Sequence, residues 1–264
     1  MTLATSTRRI VVRALFVLFG FAGASAIAAT PAPELVLVVG ATGRTGVHVV
    51  EQLVTRGRRV RAFVRSADKA RATLPAGVEI AVGDVRDPAT IAPAMRGVTH
   101  VVSAIGGGAR NAAVGNGPAD VDRDGNIHLV EAAQRAGVAH FVLVSSGGIE
   151  QADTYPAEFM RPVLAAKRDS EQYLRTSGLP YTIVRPGGLG GEPRAHTRIV
   201  LRQEPGAPFG RVSREEVAQV CIAALGSAAA RGKTFEVLAE DGDPVADLEP
   251  LFAALRADTP ANGR

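Results

Sequence analysis

A doubly wound parallel α/β sheet, with helices on both faces, is the fold class that the sequence predicts. Three observations carry it. Continuous apolar runs such as Leu35–Val39 and residues 141–144 have the pattern of strands buried on both faces. Stretches with apolar residues at helical spacing lie between them, and several are stopped by glycine. The alternation of strand and helix runs from residue 35 to residue 184 with no internal repeat.

The strand at Leu35–Val39 ends at Gly40, and residues 46–56 then place Val47, Val50, Leu53 and Val54 at helical spacing before Gly57. Strands at 60–64, 78–82 and 101–104 alternate with helices at 67–74 and 88–95. Asp87 suits the cap of the second of these helices, because Pro88 fits a first helical position. Residues 120–136 read as a helix ended by Gly137, 141–144 as a strand, 162–176 as a helix ended by Gly178, and 181–184 as a sixth strand. Past Arg185 the pattern loosens. Residues 187–210, rich in Gly, Pro and Arg, read as loop. Ser213 caps a helix over 214–225 whose first turn holds Glu215 and Glu216, favourable to the helix dipole. A strand at 235–238 and a helix at 248–256 close the chain. The expected organisation is a nucleotide-binding domain over 34–264, with a small substrate lobe from about residue 187.

The chain has 264 residues, 46% apolar and 21% charged, which is a globular composition. Its net charge is +4, and no block of Lys and Arg is interleaved with aromatics, so nucleic acid is not an expected partner. The single cysteine, Cys221, falls in an apolar helical run and reads as a buried structural thiol. The five histidines show no metal-ligand spacing, and no metal is expected.

Residues 1–30 read as an export signal: Arg8, Arg9 and Arg13, then an apolar stretch, then small residues that offer cleavage after Ala26 or Ala28. The run Thr7-Arg8-Arg9-Ile10-Val11-Val12-Arg13 resembles the twin-arginine motif. A bacterial periplasmic location is therefore expected, with no stable membrane span after cleavage. An uncleaved anchor is the alternative, although the apolar stretch is shorter than the roughly 20 residues of a span.

The turn Gly40-Ala41-Thr42-Gly43-Arg44-Thr45-Gly46 lies between the first strand and the first helix. In that context glycines let backbone approach a pyrophosphate, and N–H groups at the helix start face the anion. The second strand ends in Arg65, where an acidic residue about 20 positions on would bind a ribose 2′-hydroxyl. An arginine fork suits a 2′-phosphate, so NADP is expected over NAD, with Arg44 and Lys69 assisting. Asp84 and Val85 follow the third strand, and Asp84 is placed to bond an adenine amine or to cap the next helix. Ser103, Ala104 and Ile105 close the fourth strand, where backbone would run against the ribose and nicotinamide.

Taken in order, GATGRTG, FVR, GDVRDP, FVLVSSGG, then K-x-x-x-E followed by SGLPYTIVRPGGL, resemble the atypical short-chain dehydrogenase/reductases, in their NmrA-like and biliverdin-reductase-B-like branch. The resemblance spans about residues 35 to 238 and implies a Rossmann-type fold, an NAD(P) cofactor and a small-molecule substrate. The family's reductases use a serine after the fifth strand and a Tyr-x-x-x-Lys on the next helix. Ser146 matches the serine, with Ser145 beside it, and Lys167 matches the lysine. Val163 stands at the tyrosine position and cannot donate a proton. Tyr155 is the nearest tyrosine, but its spacing and Pro156 argue against the same helix face. Pro186 and Gly187, after the sixth strand, would pass the nicotinamide amide. The resemblance thus implies an NADP-dependent oxidoreductase acting on a quinone, flavin or carbonyl. The missing tyrosine leaves a non-catalytic NADP-binding sensor or scaffold as the alternative, and a sugar-nucleotide epimerase as a third reading.

Overall fold

The computed structural model describes residues 34–108, 115–191, 193, 196–204 and 210–259, so the leader at 1–30 lies outside the described residues. The first half alternates strictly: β1 Leu35–Val39, α1 Gly46–Thr55, β2 Arg59–Val64, α2 Ala67–Thr73, β3 Glu79–Val82, α3 Pro88–Ala94 and β4 His100–Ser103. A π-helical turn, Ala119–Gly125, runs into α4 Asn126–Ala136, followed by β5 His140–Val144. Two 3₁₀ turns, Ile149–Thr154 and Glu158–Met160, precede α5 Arg161–Thr176 and β6 Tyr181–Pro186. The remainder comprises β7 Gly188–Leu189, β8 Thr197–Arg202, β9 Arg211–Val212, α6 Arg214–Gly226, β10 Lys233–Asp241 and α7 Glu249–Ala254.

The strands form a sheet in the order β3-β2-β1-β4-β5-β6-β10-β9-β7, with β8 also paired to β10. Every pairing from β3 to β10 is parallel, while β8 and β9 run antiparallel to β10. The alternation of strand side chains explains why both faces need helices. In β1, Val36 and Val38 enter one core with Val49, Val50 and Leu53 of α1 and Val217 and Val220 of α6. Leu35, Leu37 and Val39 enter the other, with Ile91 of α3, Leu129 and Val130 of α4 and Leu174 of α5. Fully burying one such aliphatic side chain is worth about 1.5–3 kcal/mol, so a strand apolar at every position is anchored from both sides.

The predicted caps are present. Asp87 accepts from the Ala89 N–H at 3.1 Å, with Pro88 in the first turn of α3. Ser213 and Glu216 form a reciprocal capping box at the start of α6. Ser213→Ala is expected to cost about 1 kcal/mol in a urea unfolding midpoint analysis, and a neutral result would show that the box contributes nothing. Cys221 is buried, and burial pushes its thiol up to about 12, so it stays protonated.

Two elements differ from the sequence expectation. The stretch 187–210, expected as loop, contains β7 and β8. In β8 the buried side chains are Thr197 and Ile199, an alternation too short to stand out between Gly-, Pro- and Arg-rich flanks. The helix expected from residue 120 begins as the π turn at Ala119–Gly125, whose wider winding rotates Val121, Asp122 and Gly125 inward. Among the described residues, no helix is long and apolar enough to cross a membrane.

Candidate nucleotide site

A cleft of about 540 Å³ opens at the carboxyl ends of the central strands, where the order passes from β1 to β4. Open α/β sheets bind ligands at such a reversal. The glycine turn forms its floor. Gly40 has φ +78°, and a Cβ there would lie 2.7 Å from the Ala104 carbonyl oxygen. A Cβ on Gly46 would lie 2.1 Å from the Gly40 carbonyl oxygen. Side chains are therefore excluded where the turn folds back on itself. The Gly43 N–H donates to Gly40 O at 2.8 Å, and the Val47 N–H donates to Gly43 O at 3.0 Å. The amides of Arg44, Thr45 and Gly46 precede the α1 ladder, as the first N–H groups of any helix do. This bare backbone cradle fits a dinucleotide diphosphate.

Cationic side chains gather at the end formed by β2: Arg65 and Lys69 line the cleft there, and Arg44 lines it from the glycine turn. Arg65 follows β2 directly and donates to Asn116 Oδ1 at 3.1 Å. Ser66 caps α2 through the Lys69 N–H. Asp84 lines the same end, but Arg86 grips its carboxylate at 2.6 Å and 3.0 Å. That hydrogen-bonded guanidinium holds the Asp84 carboxyl below the usual carboxylate range, against the opposing effect of burial. Val85 lies beside it, with its carbonyl 2.8 Å from His128 Nδ1.

At the other end the sequence placed Ser146 and Lys167, and both line the cleft with Ala104 and Ile105. Lys167 is 9% exposed, and its Nζ lies 2.8 Å from Asp122 Oδ1 and 3.4 Å from Ile105 O. Asp122 is fully buried, and its Oδ2 accepts from the Gly107 N–H at 2.6 Å. Its Oδ1 meets the ammonium as an ion contact, without an aligned hydrogen bond. Ser146 Oγ donates to Gly147 O at 3.0 Å, whereas the buried Ser145 Oγ has no hydrogen-bond partner. Val163 lies one turn before Lys167 on α5 and lines the cleft together with Met160 and Leu189. Tyr155 packs instead against a small separate cluster of Ile149, Ala152 and Leu164.

Thus Gly40, Thr42, Gly43, Arg44, Thr45, Arg65, Asp84, Val85, Ala104, Ile105, Ser146 and Lys167 are brought together. Gly46, Ser103, Pro186 and Gly187 are not part of that lining. Gly46 supports the turn from behind. Ser103 is buried and donates to Asn126 Oδ1 at 2.6 Å. The Pro186 carbonyl accepts from Gly147 N–H, and a Cβ on Gly187 would lie 2.5 Å from Gly210 O. Sequence reasoning missed Asp122, Asn116 and Arg214, which line the cleft from segments distant in sequence.

The profile of the NAD(P)H-binding family matches residues 40–228. A chloroplastic protein of Arabidopsis thaliana is 33% identical over 242 residues, covering 84% of this chain and 82% of its own. Sanguinarine reductase of Eschscholzia californica is 29% identical over 264 residues, covering 83% and 94%. Among solved structures, a proposed NAD-dependent epimerase/dehydratase from Bacillus halodurans has a TM-score of 0.73 at 29% identity, covering 84% of this chain and 100% of its own. These relatives correct the expected periplasmic location. The Arabidopsis protein, a second Arabidopsis relative and a pea relative are chloroplastic proteins, and nothing in the comparisons supports export to a periplasm. The physical reason for the misreading is that a basic, apolar leader with small residues is a short pattern which different targeting segments share. The family match covers most of the folded chain and begins at the glycine turn, so the chain belongs to the NAD(P)H-binding family, in its atypical short-chain dehydrogenase/reductase branch.

Proposed function

We propose that this protein is an NADPH-dependent reductase of small, flat electrophiles whose reduced form is a stable anion, quinones and flavins ahead of simple carbonyls. The observation that carries this reading is the apolar Val163 one turn before Lys167, with the lysine itself tied to Asp122. Reduction of a ketone leaves a strongly basic alkoxide, which calls for a positioned acid. A quinone or flavin leaves an anion that water can protonate. The sanguinarine reductase relative supports a reductase, and the apolar Met160, Val163 and Leu189 of the cleft lining support an apolar acceptor.

A bound reduced nicotinamide supplies the hydride. The protein's own residues bind, orient and exclude water. Amides of the Gly40–Gly46 turn hold the diphosphate, Arg65 with Lys69 holds the 2′-phosphate, and Asp84 accepts from the adenine amine. Lys167, held in place by Asp122, donates to the nicotinamide ribose. Ser145 and Ser146 offer hydroxyls beside the acceptor.

Purified protein mixed with NADPH should consume it with quinones or flavins, and not above background with an aliphatic ketone. Ketone turnover as fast as quinone turnover would sink the acid-free reading. NADPH binding without turnover on any acceptor would favour the non-catalytic alternative, to which Val163 also points. For the cofactor choice, Arg65→Gln should weaken NADPH about 30-fold, roughly 2 kcal/mol, and leave NADH unchanged. Equal losses for both would remove Arg65 from 2′-phosphate recognition.

A further inference from the structure

Arg214 enters the nucleotide cleft from the late part of the chain. It is the first residue of α6, and the Ser213–Glu216 capping box fixes that end of the helix. The pairing of β7 with β9 sets the neighbouring backbone: the Gly190 N–H donates to Val212 O at 2.9 Å. Arg214 Nη1 in turn donates to Gly190 O at 2.9 Å. That bond uses one of five guanidinium N–H donors. The side chain lines the same cleft as Arg44 of the glycine turn. Burial first, and the nearby Arg44 charge second, lower the Arg214 pKa.

Several other arginines of the fold have carboxylate partners: Arg61 with Glu79, Arg86 with Asp84, and Arg175 and Arg185 with Glu171, while Arg65 in the same cleft bonds Asn116. Among the described residues, neither Arg44 nor Arg214 has one. Two like charges held at one wall of a cleft repel each other, and a ligand anion relieves that cost. The planar guanidinium fork matches phosphoryl and carboxylate oxygens alike.

We propose that Arg44 and Arg214 form a clamp for one anionic group of the ligands in this cleft: the dinucleotide diphosphate, or an acidic substituent on the acceptor. The clamp rests on the reading of this cleft as the cofactor and acceptor site. It assigns a binding role to a residue outside the glycine turn, and it would join α6 to the ligand.

The test compares wild type with Arg214→Gln and Arg214→Lys, with Arg44→Gln as a second probe of the same clamp. Calorimetry measures NADPH and adenosine 2′-monophosphate, which has the adenine end and no diphosphate. Steady-state kinetics compare a neutral naphthoquinone with its sulfonate. If the anion is the diphosphate, Arg214→Gln weakens NADPH about tenfold, spares the monophosphate, and Arg214→Lys restores most of the affinity. If it is on the acceptor, NADPH binding holds while KM for the sulfonate rises about tenfold and KM for the neutral quinone does not. Unchanged values throughout, or equal weakening of NADPH and the monophosphate, overturn the clamp. Wild type that binds no NADPH overturns the cofactor reading itself, whereas an unaffected variant beside a binding wild type overturns only the clamp.

Discussion

Replacing Asp122 by alanine is expected to lower the unfolding free energy by about 3–5 kcal/mol, because it strands a buried charge. Lys167 is 9% exposed, and the Asp122 carboxylate at 2.8 Å is its counter-ion. The same substitution removes the acceptor of the Gly107 N–H, itself a loss of about 1–3 kcal/mol when a buried donor goes unpaired. The two costs overlap, since one carboxylate serves both groups. Asp122→Asn keeps an acceptor for Gly107 and loses the charge, so it should fall between alanine and wild type. Combining Asp122→Ala with Lys167→Met should recover part of the loss, because the uncompensated charge is then gone. Urea unfolding of wild type, Asp122→Ala, Lys167→Met and the double variant measures the coupling. Strict additivity, or a loss under about 1 kcal/mol for Asp122→Ala, would mean that Lys167 finds water and needs no partner.

The parts of this fold that could be read from sequence are those whose physics is local or strictly periodic. LVLVV at Leu35–Val39 has no polar side because both of its faces are covered, and a run of that kind has few other readings. The glycine turn is legible for the same reason: Gly46 touches the Gly40 carbonyl six positions earlier, and a Cβ does not fit. The Asp87 and Ser213 caps depend on groups within three residues. Asp122 is different. Its partner is 45 positions away, as 167 − 122 gives, and the π turn that faces it inward changes the helical phase within one turn. A period of 3.6 drawn backwards from α4 does not locate it. β8 escaped because only Thr197 and Ile199 are buried, and its partner β10 begins more than 30 residues later. Arg214 lay in plain view as a helix start, yet nothing local indicated that its far end lines the cleft of the first βα unit.

The second large effect concerns pH and lies at the amino ends of the central strands, opposite the cleft. His140 opens β5 directly beside His100, which opens β4, and it is fully buried. Thr182 Oγ1 donates its proton to Ala230 O at 2.7 Å, so His140 Nε2, 2.9 Å from that oxygen, must be the donor between them. In that neutral tautomer Nδ1 carries no proton and faces the Leu225 carbonyl at a long 3.3 Å, a contact that favours the protonated ring. Burial dominates its titration and lowers the pKa from 6.5 to about 4; the Leu225 carbonyl opposes this, while Arg231 and His100 add repulsion. Above pH 6.5 both folded and unfolded chains carry a neutral ring, and the group contributes no slope. Between pH 6.5 and about 4 the unfolded chain takes up a proton that the folded chain refuses, so stability falls with acid. Below about 4 both forms are protonated and the loss is complete, at about 3 kcal/mol for a shift of this size. His140→Gln, which cannot titrate, should show a flatter profile over that window, and its difference from wild type isolates the histidine from the carboxylates common to both. Identical slopes for the two proteins would mean that His140 titrates alike in the folded and unfolded chains and that burial does not govern it.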